Sequence, residues 1–150
     1  MKNLITALTF LLAPTFVLAG ERVSGENSYA RKEQNWQLNN SVYWQQTNVG
    51  TFTVTEGPLD PGFVDCLGAG FGRAEGVRGE GICIFENAEG SFTWTWQAIP
   101  GALNQWQVAA ATGKYKGMTG SGTAKSRIQS EFTAMQHRVT TWEGEIELPN

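Results

Sequence analysis

Histidine is almost absent from this chain of 150 residues: His137 stands alone, and cysteine occurs twice, at Cys66 and Cys83. One histidine, with carboxylates not clustered at ligand spacing, argues against a metal centre. No Ser-His-Asp arrangement can be read from it either. Basic residues are outnumbered, 11 against 14 acidic ones for a net charge of −3, and they form no cluster, so nucleic-acid binding finds no support. No amphipathic helix is legible after Ala19. What is abundant is glycine (18), with 6 Trp and 8 Phe. That mixture, with its many threonines, favours strands joined by tight turns in a single domain.

The first residues read as a leader. Lys2 supplies a positive start, Leu4 to Leu12 an apolar core, and Val17-Leu18-Ala19 the small-x-small pattern of a secretory cleavage site. Pro14 and Thr15 interrupt the apolar run before it reaches the roughly 20 residues of a membrane span. No cysteine follows the site, which argues against a lipoprotein anchor. Cleavage between Ala19 and Gly20 removes Lys2 and no acid, leaving 10 basic and 14 acidic residues, a net of −4. The expected destination is the periplasm or the outside of the cell. Residues 20–40 show no apolar period and many charges, so a flexible N-terminal arm is expected there, with the barrel domain over 41–150. Asn39-Asn40-Ser41 fits a glycosylation acceptor, relevant to a eukaryotic host only.

The body alternates with period two. Val42 to Thr55 puts Trp44, Phe52 and Val54 on one face, and Ser91 to Ile99 does the same with Phe92, Trp94, Trp96 and Ala98. Residues 56–62 form a turn, Phe63 to Ala69 a short strand, Gly70 to Gly79 a glycine-rich connection, and Gly81 to Asn87 a strand. Gln105 to Ala110, Ser121 to Gln129 and Phe132 to Leu148 complete the set, with a bend expected near His137 to Thr141. Glu143, Glu145 and Glu147 face away from Trp142 and Ile146 and belong in water. Between two of these strands, Ala111 to Lys125 holds four glycines and Tyr115, as expected of a corner where the chain turns tightly and re-enters the sheet. Seven or eight such strands imply an all-β sandwich or closed barrel.

Ala110 to Thr123, AATGKYKGMTGSGT, resembles the Gly-Gly-Thr-Gly-Lys-Tyr stretch of the allene oxide cyclase and dirigent-like barrels, and of small secreted bacterial proteins with that barrel and no assigned role. Gly79 to Asn87 and Trp142 to Pro149 resemble the bacterial members too. The likeness covers roughly Val42 to Leu148 and implies an antiparallel closed barrel of eight strands. Ala110 and Ala111 replace the usual glycine pair, and no position matches the plant cyclases' catalytic glutamate. The motif consists of turn and strand residues, so it speaks to fold and leaves catalysis open.

Cys66 and Cys83 lie on strands flanking the Gly70 to Gly79 connection, and in an exported chain a disulfide between them is the leading reading, with buried thiols the alternative. His137 is expected to be a structural or surface residue. The Gly113 to Gly122 stretch lacks the order and context of a phosphate loop, and no cofactor is implied. The candidate ligand-binding residues are those expected to face a barrel lumen: Trp44, Gln46, Asn48, Phe52, Trp94, Trp96 and Trp106. With Phe92 and Trp142 they either fill it or shape a pocket for one small apolar molecule. Two functions follow, a non-catalytic binding or structural module and an isomerase or cyclase of a flexible apolar substrate. An enzyme needs a titratable group in the lumen. Glu86 and Tyr115 are the remaining candidates, and most other acids point away from the aromatic face.

Overall fold

A computed structural model describes residues 20–132 and 135–149; the expected leader lies outside them. Eight strands follow one another: β1 (Glu21–Gln37), β2 (Val42–Glu56), β3 (Gly62–Arg73), β4 (Gly76–Asn87), β5 (Gly90–Ala98), β6 (Asn104–Ala111), β7 (Thr119–Phe132) and β8 (Met135–Glu147). Each pairs antiparallel with its neighbour in sequence, and β1 pairs with β8, so the sheet closes into a barrel without edges. Between β6 and β7 lies a single 3-10 turn, Gly113–Tyr115.

The expected N-terminal arm is corrected by β1, which is a full barrel strand. It pairs with β2 from Ser24 to Gln37 and with β8 from Glu21 to Arg31. The strand escapes a hydropathy reading because its inward positions are Val23, Gly25, Asn27 and Tyr29, only one of them aliphatic. The Gly70 to Gly79 connection is corrected as well. β3 runs on to Arg73 and β4 starts at Gly76, leaving a turn at 74–75. Glycine there serves the strand interior, because indoles lie on it from inside the barrel: a Cβ at Gly70 would come 2.6 Å from Cζ2 of Trp44.

Alternation places the core. Phe52, Phe85 and Phe92 meet in edge and stacked contacts with ring centroids 4.7 to 5.8 Å apart, and Val23, Val64 and Ile146 are buried with them. The far side of β8 is polar, with Glu143, Glu145 and Glu147 exposed as expected, whereas β3 exposes Phe63, Leu67 and Phe71 on its outer face.

One end of the barrel is plugged. The connection 112–118 turns through Gly113 and Gly117, whose φ values of +58° and +85° would strain an L side chain. This aims Tyr115, which has 0% exposure, at Phe92. Its hydroxyl accepts from Asn87 Nδ2 (2.8 Å) and the Asp60 N–H (3.2 Å) and donates to Asp60 Oδ2 (3.2 Å), while Lys114 Nζ donates to Asp60 Oδ2 at 2.7 Å. The glycine-rich motif is therefore a stopper for the lumen.

Candidate functional site: the aromatic lumen

Inside the barrel, the layer above the phenylalanines is made of tryptophans. Trp94 and Trp106 stack at 4.1 Å, and Trp142 meets Trp94 edge-on at 5.2 Å. Trp142 Nε1 donates to Asn27 Oδ1 at 2.9 Å and Trp106 Nε1 to the Thr123 carbonyl at 3.1 Å. The buried indole N–H of Trp94 has no partner among the described residues, and the same holds for Nε1 of Trp44, Oδ1 of Asn48 and Nε of Arg31. Buried polar atoms are ordinarily paired with protein or with ordered water, and of these four residues Trp94 and Asn48 line the cavity described next.

A cavity of about 70 Å³ lies at this level. Its wall combines indole faces (Trp94, Trp96, Trp106, Trp142) with the Cys66–Cys83 disulfide and a polar side of Tyr29, Gln46, Asn48, Ser126 and Thr140. Cys66 and Cys83 are direct cross-strand partners with a Cα separation of 4.0 Å, which is what allows the bridge. The Tyr29 hydroxyl is bonded to Thr140 Oγ1, which meets Ser126 Oγ at 2.6 Å, so three hydroxyls form a chain along the wall. Trp96 stacks on Trp44 with planes 6° apart. The Arg31 guanidinium caps Trp44 at 5.9 Å and pairs with Glu33. Burial, with Arg138 nearby, pushes Arg31 down to about 10.

Five of the seven lumen candidates border this cavity: Gln46, Asn48, Trp94, Trp96 and Trp106. Trp44 points inward but stands behind Trp96, and Phe52 packs into the plugged end, so neither reaches the wall. Sequence reasoning missed Tyr29, Asn27 and Arg31 with the strand that carries them, and missed Ser126 and Thr140, which read as ordinary strand residues. Glu86 is exposed on the outer side of β4, and Tyr115 belongs to the plug. His137 lies on the outer side, where Nε2 meets Ser28 Oγ at 2.9 Å. No group of three or more metal-ligating side chains occurs among the described residues.

These features define a class, an eight-stranded closed antiparallel barrel with a plugged end and a tryptophan-lined lumen. The solved structure of the pterocarpan synthase dirigent protein GePTS1 is similar to this chain at 12% identity and a TM-score of 0.44, over 94% of this chain and 100% of that one. At that score the barrel rests on its own strand ladders. No family model matches the chain, and no curated protein matches it.

Proposed function

We propose that the mature chain is an exported, non-catalytic binding barrel whose lumen holds one small, largely apolar molecule with an oxygen function. The observation that carries this reading is the pair Asn48 Oδ1 and Trp94 Nε1, an acceptor and a donor that border one cavity and have no protein partner. Leaving such a group unpaired costs about 1–3 kcal/mol, so a guest that both donates and accepts offsets a standing penalty. The free cavity, at about 70 Å³, has room for a few waters and is far below the roughly 300 Å³ and upward of small-molecule sites. A guest of more than a few atoms enters when Trp96, half-buried and stacked on Trp44, moves aside.

The isomerase reading asks more of this wall. Among the side chains that line the cavity, Tyr29 is the one candidate acid, because both cysteines are bonded, and its hydroxyl is already engaged by Thr140. Export is supported by the disulfide, which belongs to oxidising compartments. It is also supported by the start of β1 at Glu21, two residues after Ala19, so cleavage there leaves every strand whole. Native mass spectrometry of protein purified from its host, with tryptophan titration by small cyclic alcohols and ketones, tests the lumen. Retained mass or saturable quenching that Asn48→Leu weakens is expected. Turnover of such a compound, or an emission unchanged by all of them, overturns the reading.

A further inference from the structure

The outer wall of the barrel carries a second concave surface, remote from the lumen chemistry. Trp36, Tyr43 and Phe71 are successive cross-strand partners on β1, β2 and β3, with ring centroids 5.5 and 5.2 Å apart. All three face outward, and Trp36 and Phe71 are 44% and 39% exposed. The next layer of cross-strand partners runs Gln45, Ala69, Glu80, Gln97, Gln105. Ala69 is the small residue of that layer, and a hollow of about 450 Å³ opens above it, edged by Tyr43, Phe71 and Arg78 on one side and Glu80 and Gln97 on the other. Through Glu80 and Gln97 it joins a groove of about 770 Å³ that crosses β5 and β6 to Ser121 and Thr123 on β7.

We propose that this groove binds a neutral oligosaccharide. Amide side chains donate and accept at once, which suits the neighbouring hydroxyls of a sugar ring, and the aromatic row offers flat apolar area to its C–H face. Other occupants fit less well. A purely apolar ligand would strip water from Glu80, Gln97 and Gln105 without replacing their hydrogen bonds. An anionic polymer would meet Glu80 beside the single Arg78, and no basic cluster. A second protein would bury the aromatic row at the centre of its contact, whereas here the row edges an amide-lined hollow.

Calorimetric titration with gluco-, xylo-, manno-, galacto- and chito-hexaoses tests the proposal. At least one is expected to bind saturably, and Phe71→Ala and Gln97→Ala should each weaken it by about tenfold, with Phe71→Trp retaining binding and Asn48→Leu leaving it unchanged. Unfolding curves establish that each variant is folded. Three results overturn the proposal: no binding to any of the five, binding indifferent to Phe71→Ala and Gln97→Ala, or self-association of the wild type in sedimentation that Phe71→Ala abolishes. The last would assign the face to a second copy of the chain.

Discussion

Gly68 lies against the indole of Trp96: a Cβ built on this glycine would come 2.6 Å from Cη2 of the ring. The same relation holds between Gly79 and Trp44, Gly25 and Trp142, and Gly122 and Trp106. The two unusual abundances of the composition are thus one feature. Indoles fill an eight-stranded lumen by lying flat on bare backbone, which no bulkier residue at the glycine positions would permit.

Gly68→Ala should therefore destabilise the barrel by about 1–3 kcal/mol through overpacking. The clash is mainly with a side chain, the nearest backbone atom being the Glu80 oxygen at 3.1 Å. Adding Trp96→Leu should recover much of the loss. Denaturant curves of both singles and the double check this, and strictly additive costs would contradict it.

Alternation made much of this lumen legible. Trp44, Gln46, Asn48, Phe52, Trp94 and Trp106 are all inward, because β2, β5 and β6 carry the plain pattern of large residues against Thr and Gln. The disulfide followed from two cysteines set symmetrically about a hairpin, and Cys66 is the direct partner of Cys83. What stayed hidden has one cause. In β1 and β7 the inward residues are small or polar, Gly25, Asn27, Gly122, Ala124 and Ser126, and they face indoles supplied by other strands, so burial leaves no hydrophobic trace in their own sequence. Only the sum over the closed sheet shows that Tyr29 and Thr140 share a wall.

Loss of the Cys66–Cys83 bridge should cost on the order of 3 kcal/mol, since the cysteines are 17 residues apart in the chain. The double Cys→Ala variant, compared with wild type with and without reductant, checks it. Equal stability of all three forms would show that the bridge contributes nothing.

Asn48→Leu should leave the ligand-free protein as stable or raise it by about 1 kcal/mol, because it removes a buried acceptor that has no partner. Thermal unfolding of the free protein is the measurement. A marked loss would mean that Asn48 is satisfied in solution and is structural.

The plug should respond to acid. The hydrogen bond from Lys114, with a further one from Tyr115, holds Asp60 below the ordinary carboxylate range, so its contribution is present above that range and is lost as pH falls through the lowered value. Asp60 in turn holds Lys114 above the ordinary lysine range, so that share is present at neutral pH and is lost as pH rises through the raised value. Asp60→Asn should flatten the loss of stability as pH falls below the ordinary carboxylate range, about 4. High salt should shrink the effect, because the pair is exposed. Tyr115→Phe should cost about 1 kcal/mol at neutral pH and less in acid, because one of the hydrogen bonds it deletes is donated to the ionised Asp60. Identical acid profiles for wild type and Asp60→Asn would dismiss the plug as a source of acid sensitivity.

Every ladder in the barrel joins strands adjacent in the chain except that between β1 and β8, which brings Glu21 opposite Ile146. Seven hairpins can zip locally, each with a small loop-closure penalty, while the whole non-local entropy falls on this one seam. An emerging polypeptide lacks its last strand, so the ring stays open until synthesis, or passage across a membrane, is complete. Folding is thereby deferred to the side where the C-terminus arrives. The seam also brings the start of β1 and the end of β8 close together, which makes the barrel a candidate for circular permutation: linking these two points and cutting the exposed turn at Ala74–Glu75 would turn the slow seam into a hairpin and another ladder into the last to close.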